Sequence, residues 1–223
     1  MSNNINKKIE SYLPFFLNKN NEPVTDSILL LDSGDVFYGK GYGSSKCGIG
    51  EICFNTCMTG YQEIITDPSY SKQIITFTFP HIGNVGTNKN DFEGNSSISG
   101  IVTRQLPSNS SNWRSIKNFN DWLVEISVPA IAGIDTRELT KKIRKKDSTN
   151  ALITKFEKGK TDVNYLLSKL REYPSMKGLE LFSQVSCNKE SYWIENLHQL
   201  LQAKTVNKNK DVIKIISLDY GVK

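Results

Sequence analysis

Residues 54–88 constrain this chain more than any other part of its sequence. The segment packs hydroxyl, charged and turn-forming residues between two runs that are typical of β-strands. Side chains that bind ligands lie disproportionately on loops of this kind, which a rigid scaffold positions. The pattern therefore predicts a functional loop that is supported by a sheet.

Strand-like and helix-like patterns both occur outside this loop, which indicates an α/β domain with helices covering a sheet. Residues 28–32 and 35–41 flank Ser33-Gly34, a pairing typical of a tight hairpin. Further strands are predicted at 51–56, 73–79, 99–106 and 130–134, and helices at 119–126, from Asp135 onward, and at 163–170. Asp135, with Glu138 three residues later, resembles a capping box.

The predicted organisation has four parts. Residues 1–26 are polar and asparagine-rich and are expected to form a flexible extension. Residues 27–185 form the α/β domain, and 186–211 have the composition of a linker. Residues 212–223 contain a continuous apolar run at 213–218, typical of a strand covered on both faces.

The composition limits the classes of protein to which this chain can belong. Hydrophobic residues make up 38% and charged residues 23% of the 223 residues, which is typical of a soluble globular protein. The apolar runs are too short to cross a bilayer, and residues 12–17 lack the features of a signal peptide.

The positive charge of the chain, which sums to a net charge of +5, is densest at residues 141–146. Because no nucleic-acid motif accompanies this patch, a solvated helix end is favoured over nucleic-acid binding.

Neither a metal site nor a catalytic cysteine is indicated by the four cysteines, at 47, 53, 57 and 187. Their spacing contains no Cys-x-x-Cys pair, so we expect buried or partly buried free thiols in a reducing cytoplasm. None has the Gly-x-Cys-x-Gly surroundings of a nucleophile elbow, and the chain has only His81 and His198 as bases. Cysteine–histidine catalysis within these residues is therefore not expected.

Ser69 is the candidate ligand-binding residue, because residues 67–70, Asp-Pro-Ser-Tyr, have the composition of a turn. Its hydroxyl could point to a ligand or satisfy its own backbone, and the residues alone favour the second alternative. The glycine-spaced loop at 81–86 could approach an anion but is more typical of a plain tight loop. Asp135 and Arg137 could form a site pair or simply a helix cap.

Taken in order, these segments resemble the small subunit of carbamoyl-phosphate synthetase. The motifs that carry the resemblance are Met-Thr-Gly-Tyr-Gln-Glu at 58–63, Thr-Asp-Pro-Ser-Tyr at 66–70 and Pro-His-Ile-Gly-Asn-Val-Gly at 80–86. Shorter matches lie at 50–51, 54–56, 73–74, 88, 134–137, 139–140 and 144, and residues 218–223 resemble the entry into the glutamine amidotransferase domain. Cys57 stands where a serine is common.

The resemblance implies a layered mixed sheet with covering helices, followed by the start of a truncated α/β amidotransferase domain. It also implies a cytoplasmic ligase subunit that forms a heterodimer. That subunit supplies ammonia from L-glutamine to a large subunit, which holds ATP and Mg²⁺ and makes carbamoyl phosphate from bicarbonate for pyrimidine and arginine synthesis. Ser69 would lie at the glutamine site, and this chain itself would bind no cofactor, metal, nucleic acid or membrane.

The family's catalytic cysteine, histidine and glutamate have no counterpart in this sequence. We therefore expect a truncated product or a cut fragment that has no glutaminase activity by itself. One alternative is a stand-alone, non-catalytic module that binds the large subunit or another protein. A basic nucleic-acid-binding domain is a further alternative, and it rests on the patch at 141–146 alone.

Overall fold

A computed structural model of the chain describes residues 25–145, 149–186, 189–190 and 215–218. It divides into two compact units, the first reaching Leu179 and the second spanning Glu180–Val222. The predicted extension at 1–26, apart from residues 25–26, lies outside the described residues, as does most of the predicted linker at 186–211. The domain boundaries drawn from the sequence therefore stay predictions.

Strands dominate the first half of the first unit, and helices appear between and after them. The elements, in chain order, are β1 Ser27–Leu31, β2 Val36–Gly43, β3 Gly48–Asn55, α1 Tyr61–Thr66, a 3₁₀ turn Pro68–Tyr70, β4 Gln73–Phe77, β5 Gly100–Val102, α2 Phe119–Glu125, β6 Pro129–Ala132, α3 Thr136–Ile143, β7 Asn150–Lys155 and α4 Val163–Glu172. None of the described helices is long and apolar enough to cross a membrane.

The seven strands close into a barrel in the order β1-β2-β6-β5-β4-β3-β7. Strands β3, β4, β5 and β6 pair in parallel, and the remaining pairs are antiparallel. This confirms a mixed α/β fold, whereas the expected layered sheet is not confirmed, since the strands close into a barrel. The barrel closes because β7, a strand that the sequence patterns did not predict, pairs with both β1 and β3.

Side chains alternate between the inside and the outside of this barrel, as they must along a strand. The inner set comes from all seven strands, and Leu139 and Ile143 of α3 pack against it. Outside, α1 and α2 cover one face with Tyr61, Ile65 and Phe119. Helix α4 covers another face, where Leu170 packs with Ile28 and Leu30 of β1.

Two local predictions are confirmed by backbone geometry. The β1–β2 hairpin turns at Ser33-Gly34, where the Gly34 N–H donates to the Leu31 carbonyl at 2.8 Å. At the start of α3, the Asp135 carboxylate accepts hydrogen bonds from the N–H groups of Arg137 and Glu138 at 3.1 and 3.0 Å. Asp135 therefore caps the helix, and the basic residues Lys141 and Lys142 lie in its last turn, which fits the helix-end interpretation of the patch.

The second unit contains α5, Phe182–Val185. Of the strand predicted at 213–218, the four residues that the structure describes, 215–218, form no strand, and Ile215, Ile216 and Leu218 are exposed. These four residues do not show the predicted strand, and the assignment of 212–223 to the start of an amidotransferase domain stays a prediction. A strand needs a neighbour to satisfy its backbone groups, and no strand partner for them is found in the described part of the chain.

Candidate functional site

Residues 54–88 are less loop-like than the sequence suggested, because α1 forms inside them. Tyr61 and Ile65 on one side of α1 are buried in the cluster that also holds Phe119 of α2. The rings of Tyr61 and Phe119 meet edge to face with centroids 4.9 Å apart. The helix is only six residues long, so tertiary packing rather than intrinsic propensity holds it.

Ser69 lies in the 3₁₀ turn that follows α1, with its side chain exposed. The carboxylate of Asp67 accepts a hydrogen bond from the Ser69 N–H at 2.8 Å, so Asp67 satisfies the backbone of this turn. The neighbouring Tyr70 hydroxyl accepts a hydrogen bond from Asn55 Nδ2 at 3.1 Å, which ties the turn to the end of β3. The Ser69 hydroxyl makes no hydrogen bond to any residue that the structure describes.

The loop at 81–86 is a tight turn with two glycines in the left-handed region, Gly83 at φ 91° and Gly86 at φ 67°. A Cβ at Gly83 would lie 2.9 Å from Phe119 and 2.7 Å from Pro107. The Gly86 carbonyl accepts a hydrogen bond from the Tyr61 hydroxyl at 2.5 Å. The glycines therefore allow close packing against α1 and α2, in agreement with the tight-loop alternative.

A cavity of about 420 Å³ opens between the start of α1 and this loop. Its lining residues come from four separate segments: 58–63, Phe79, 84–91 and 112–114. On one wall, Arg114 Nη2 donates to Asp91 Oδ1 at 2.6 Å and Asn88 Nδ2 donates to Asp91 Oδ2 at 2.7 Å.

Gln62 and Asn88 hold each other at the edge of the cavity. Gln62 Nε2 donates to the Asn88 carbonyl at 2.6 Å, and the Asn88 N–H donates to Gln62 Oε1 at 2.9 Å. These two bonds occupy both the nitrogen and the oxygen of the buried Gln62 amide. Gln62 is therefore a structural part of the wall rather than a free ligand.

Besides Asp91 and Arg114, the charged side chain that lines the cavity is that of Glu63. Burial raises its pKa above the ordinary value of 4.5, and the nearby carboxylates of Asp91 and Glu93 raise it further, whereas Arg114 opposes the shift. Burial also raises the pKa of the Tyr61 hydroxyl. Two carboxylates therefore face one guanidinium in this cavity.

Ser69 does not line the cavity, because the cavity lies at the start of α1 and Ser69 follows its end. The structure thus does not place Ser69 in the cavity that residues 84–86 of the glycine loop line. Sequence reasoning also missed Asp91, Asn112 and Arg114. A signal was present in Trp113-Arg114, an aromatic residue beside a cation within the polar run at 108–118.

Three of the four cysteines lie in the part of the chain that the structure describes. Cys47, Cys53 and Cys57 are free thiols, and Cys47 and Cys57 are exposed rather than buried. Burial, with the nearby Glu51 carboxylate, raises the pKa of Cys53 to about 12. Cys187 and His198 lie outside the described residues, and among the described ones no group of three or more potential ligands could hold a metal ion.

Comparison with known proteins decides the family. The family model for the carbamoyl-phosphate synthase small chain, CPSase domain, matches residues 29–153, a range that reaches into all seven strands. The chain belongs to the carbamoyl-phosphate synthase small chain family. The family membership expected from the sequence is thereby confirmed.

Individual curated proteins support the same family assignment. The chain is 39% identical to the carbamoyl phosphate synthase small chain of Zymomonas mobilis, covering 87% of this chain and 52% of that protein. It is 38% identical to the one from Bartonella henselae, covering 96% of this chain and 54% of that protein. The chain therefore spans about half the length of the curated relatives it matches.

Among solved structures, an aminopeptidase from Aneurinibacillus sp. strain AM-1 aligns with a TM-score of 0.38 and 12% identity, over 69% of this chain and 37% of that one. A likeness this low carries no argument about the carbamoyl-phosphate synthase small chain family.

Proposed function

We propose that this chain acts in the small subunit of a glutamine-dependent carbamoyl-phosphate synthase. In that role, the subunit releases ammonia from L-glutamine and passes it to a large subunit. The large subunit holds ATP and Mg²⁺ and combines the ammonia with bicarbonate. The observation that carries this proposal is the family match from residue 29 to residue 153, because it covers the barrel that supports both Ser69 and the cavity.

Ser69 is the residue of this chain that contacts glutamine in the proposed function. Its turn is fixed at both sides by Asp67 and Tyr70, so the backbone that carries the exposed hydroxyl is ordered before a ligand arrives. A hydroxyl can both donate and accept a hydrogen bond, which suits the amide or the α-amino and carboxylate groups of glutamine. Preorganisation of this kind lowers the entropic cost of binding.

The wider setting follows from the same proposal. The heterodimer of small and large subunits works in the cytoplasm, and its carbamoyl phosphate feeds pyrimidine and arginine synthesis. The alternative is a non-catalytic module that binds the large subunit without taking part in glutamine use.

A chimera tests these two functions. Residues 1–223 replace the matching half of the Zymomonas mobilis small chain, and the product is purified with the large chain of that organism. We expect carbamoyl phosphate formation from glutamine within about tenfold of the parent enzyme, which corresponds to a loss of about 1.4 kcal/mol. A chimera that binds the large chain and uses added ammonia but never glutamine would support the non-catalytic module instead.

A further inference from the structure

Large exposed apolar side chains belong to the segments that line the cavity. Met58 and Val85 belong to its lining and are exposed, and Trp113 lies between two lining residues, Asn112 and Arg114. Trp113 is 82% exposed. We call Met58, Val85 and Trp113 the apolar rim. Isolated exposed apolar residues are ordinary, but several of them on the segments that line one concave site indicate an interaction surface.

The segment that carries Trp113 is held in place from both ends. The Arg114 N–H donates to Asn112 Oδ1 at 2.8 Å, and the Arg114 guanidinium binds Asp91. Two residues later, the Ile116 N–H donates to the Thr87 carbonyl at 2.8 Å. The indole therefore projects from an anchored turn, so a partner that buries it orders little additional backbone.

The charge inside the apolar rim is negative, although the whole chain carries a net charge of +5. Arg114 neutralises Asp91. Glu63 forms no ion pair with any residue in the described ranges. A cation inserted from outside would complete the pairing of charges in this cavity.

We propose that the cavity and its apolar rim form a docking surface for a protein segment that presents a lysine or arginine between apolar residues. The cation pairs with Glu63, and the apolar neighbours cover Met58, Val85 and Trp113. This inference rests on the proposed function, since the large subunit is taken to supply the segment.

The exposed apolar side chains favour a protein over a small molecule. A small molecule is usually enclosed by the walls of its site, whereas Met58, Val85 and Trp113 are exposed to solvent. Trp, Met and Arg are enriched at protein interfaces.

The experiment measures the affinity of the full 223-residue chain for the purified carbamoyl-phosphate synthase large subunit of the same organism. Trp113→Ala and Glu63→Gln are compared with Tyr165→Ala and Glu172→Gln, two matched changes on α4 away from the cavity. Tyr165 is also exposed, at 58%. We expect Kd to rise about thirtyfold for Trp113→Ala and about tenfold for Glu63→Gln, with both controls within about twofold of wild type.

The outcomes separate this inference from the proposed function. If the wild-type chain binds and all four variants bind equally well, the docking surface is overturned and the proposed function stands. If the wild-type chain does not bind the large subunit, both the docking surface and the proposed function are overturned. Light scattering adds a third outcome: self-association that Trp113→Ala abolishes would make a second copy of the chain the occupant and overturn the inference.

Discussion

The guanidinium of Arg114 donates to the carboxylate of Asp91 at 2.6 Å and joins two loops that are 23 residues apart in sequence. Both side chains are only partly exposed, at 33% for Arg114 and 27% for Asp91. Because Asp91 also accepts a hydrogen bond from Asn88, the pair is part of a small network. This contact holds together two of the segments that line the cavity.

Replacing Arg114 by glutamine should lower the free energy of unfolding by about 1 kcal/mol, since a partly buried carboxylate loses its charged partner. Amide hydrogen exchange at residues 112–117 should accelerate as well. Lys160→Gln is the matched control, because its pair with Glu157 is similarly short, at 2.7 Å, but is 80% and 66% exposed. Equal effects of the two changes on denaturant unfolding would contradict the network.

The raised pKa of Glu63 makes its contribution to stability depend on pH. The native state binds this proton more tightly than the unfolded chain, so Glu63 favours folding below the ordinary pKa of 4.5. That contribution is lost as the pH rises through the raised pKa. Relative to wild type, Glu63→Gln should therefore become more stable as the pH increases from below 4.5 to neutrality. A pH-independent difference between the two proteins in urea unfolding would rule this out.

Gly83→Ala should destabilise the fold by about 3 kcal/mol, because an L residue is strained at a positive φ and the new methyl group would meet Phe119. Gly159→Ala separates the two causes. Gly159 has a similar φ of 82°, but nothing lies within 4 Å of an added Cβ, so only the strain of about 1 kcal/mol applies. Thermal unfolding of both variants measures the difference, and similar losses would show that packing at Gly83 is unimportant.

Ser69→Ala in the chimera should raise KM for glutamine about tenfold, the effect of losing roughly one ligand hydrogen bond. Synthesis from added ammonia should not change, since ammonia bypasses glutamine hydrolysis. Ser108→Ala, at another exposed serine, serves as the control. A parallel loss with both nitrogen sources would indicate a structural role for Ser69 instead.

The isolated chain should release no ammonia from glutamine. A cysteine nucleophile must be a thiolate, and burial raises the pKa of Cys53 to about 12. Ammonia release that is abolished by changing one of the four cysteines would contradict this expectation.

Local signals predicted the elements whose geometry is decided within a few residues. Ser33-Gly34 can turn a hairpin and Asp135 can cap a helix wherever they occur, because the bonds involved span two to four residues. Helix α1 was not predicted because six residues are too few to reveal the helical spacing of apolar residues. Strand β7 was not predicted because its pairing partners, β1 and β3, lie about a hundred residues earlier.

By itself, the sequence determined the family, through motifs such as residues 58–63 and 66–70, and the turn that presents Ser69. Only the tertiary structure decided that the sheet closes into a barrel and that Glu63, Asp91 and Arg114 line one cavity. The reason is physical: a turn or a cap depends on neighbours in the chain. By contrast, barrel closure, burial and the approach of distant charges depend on contacts that exist only after the whole domain has packed.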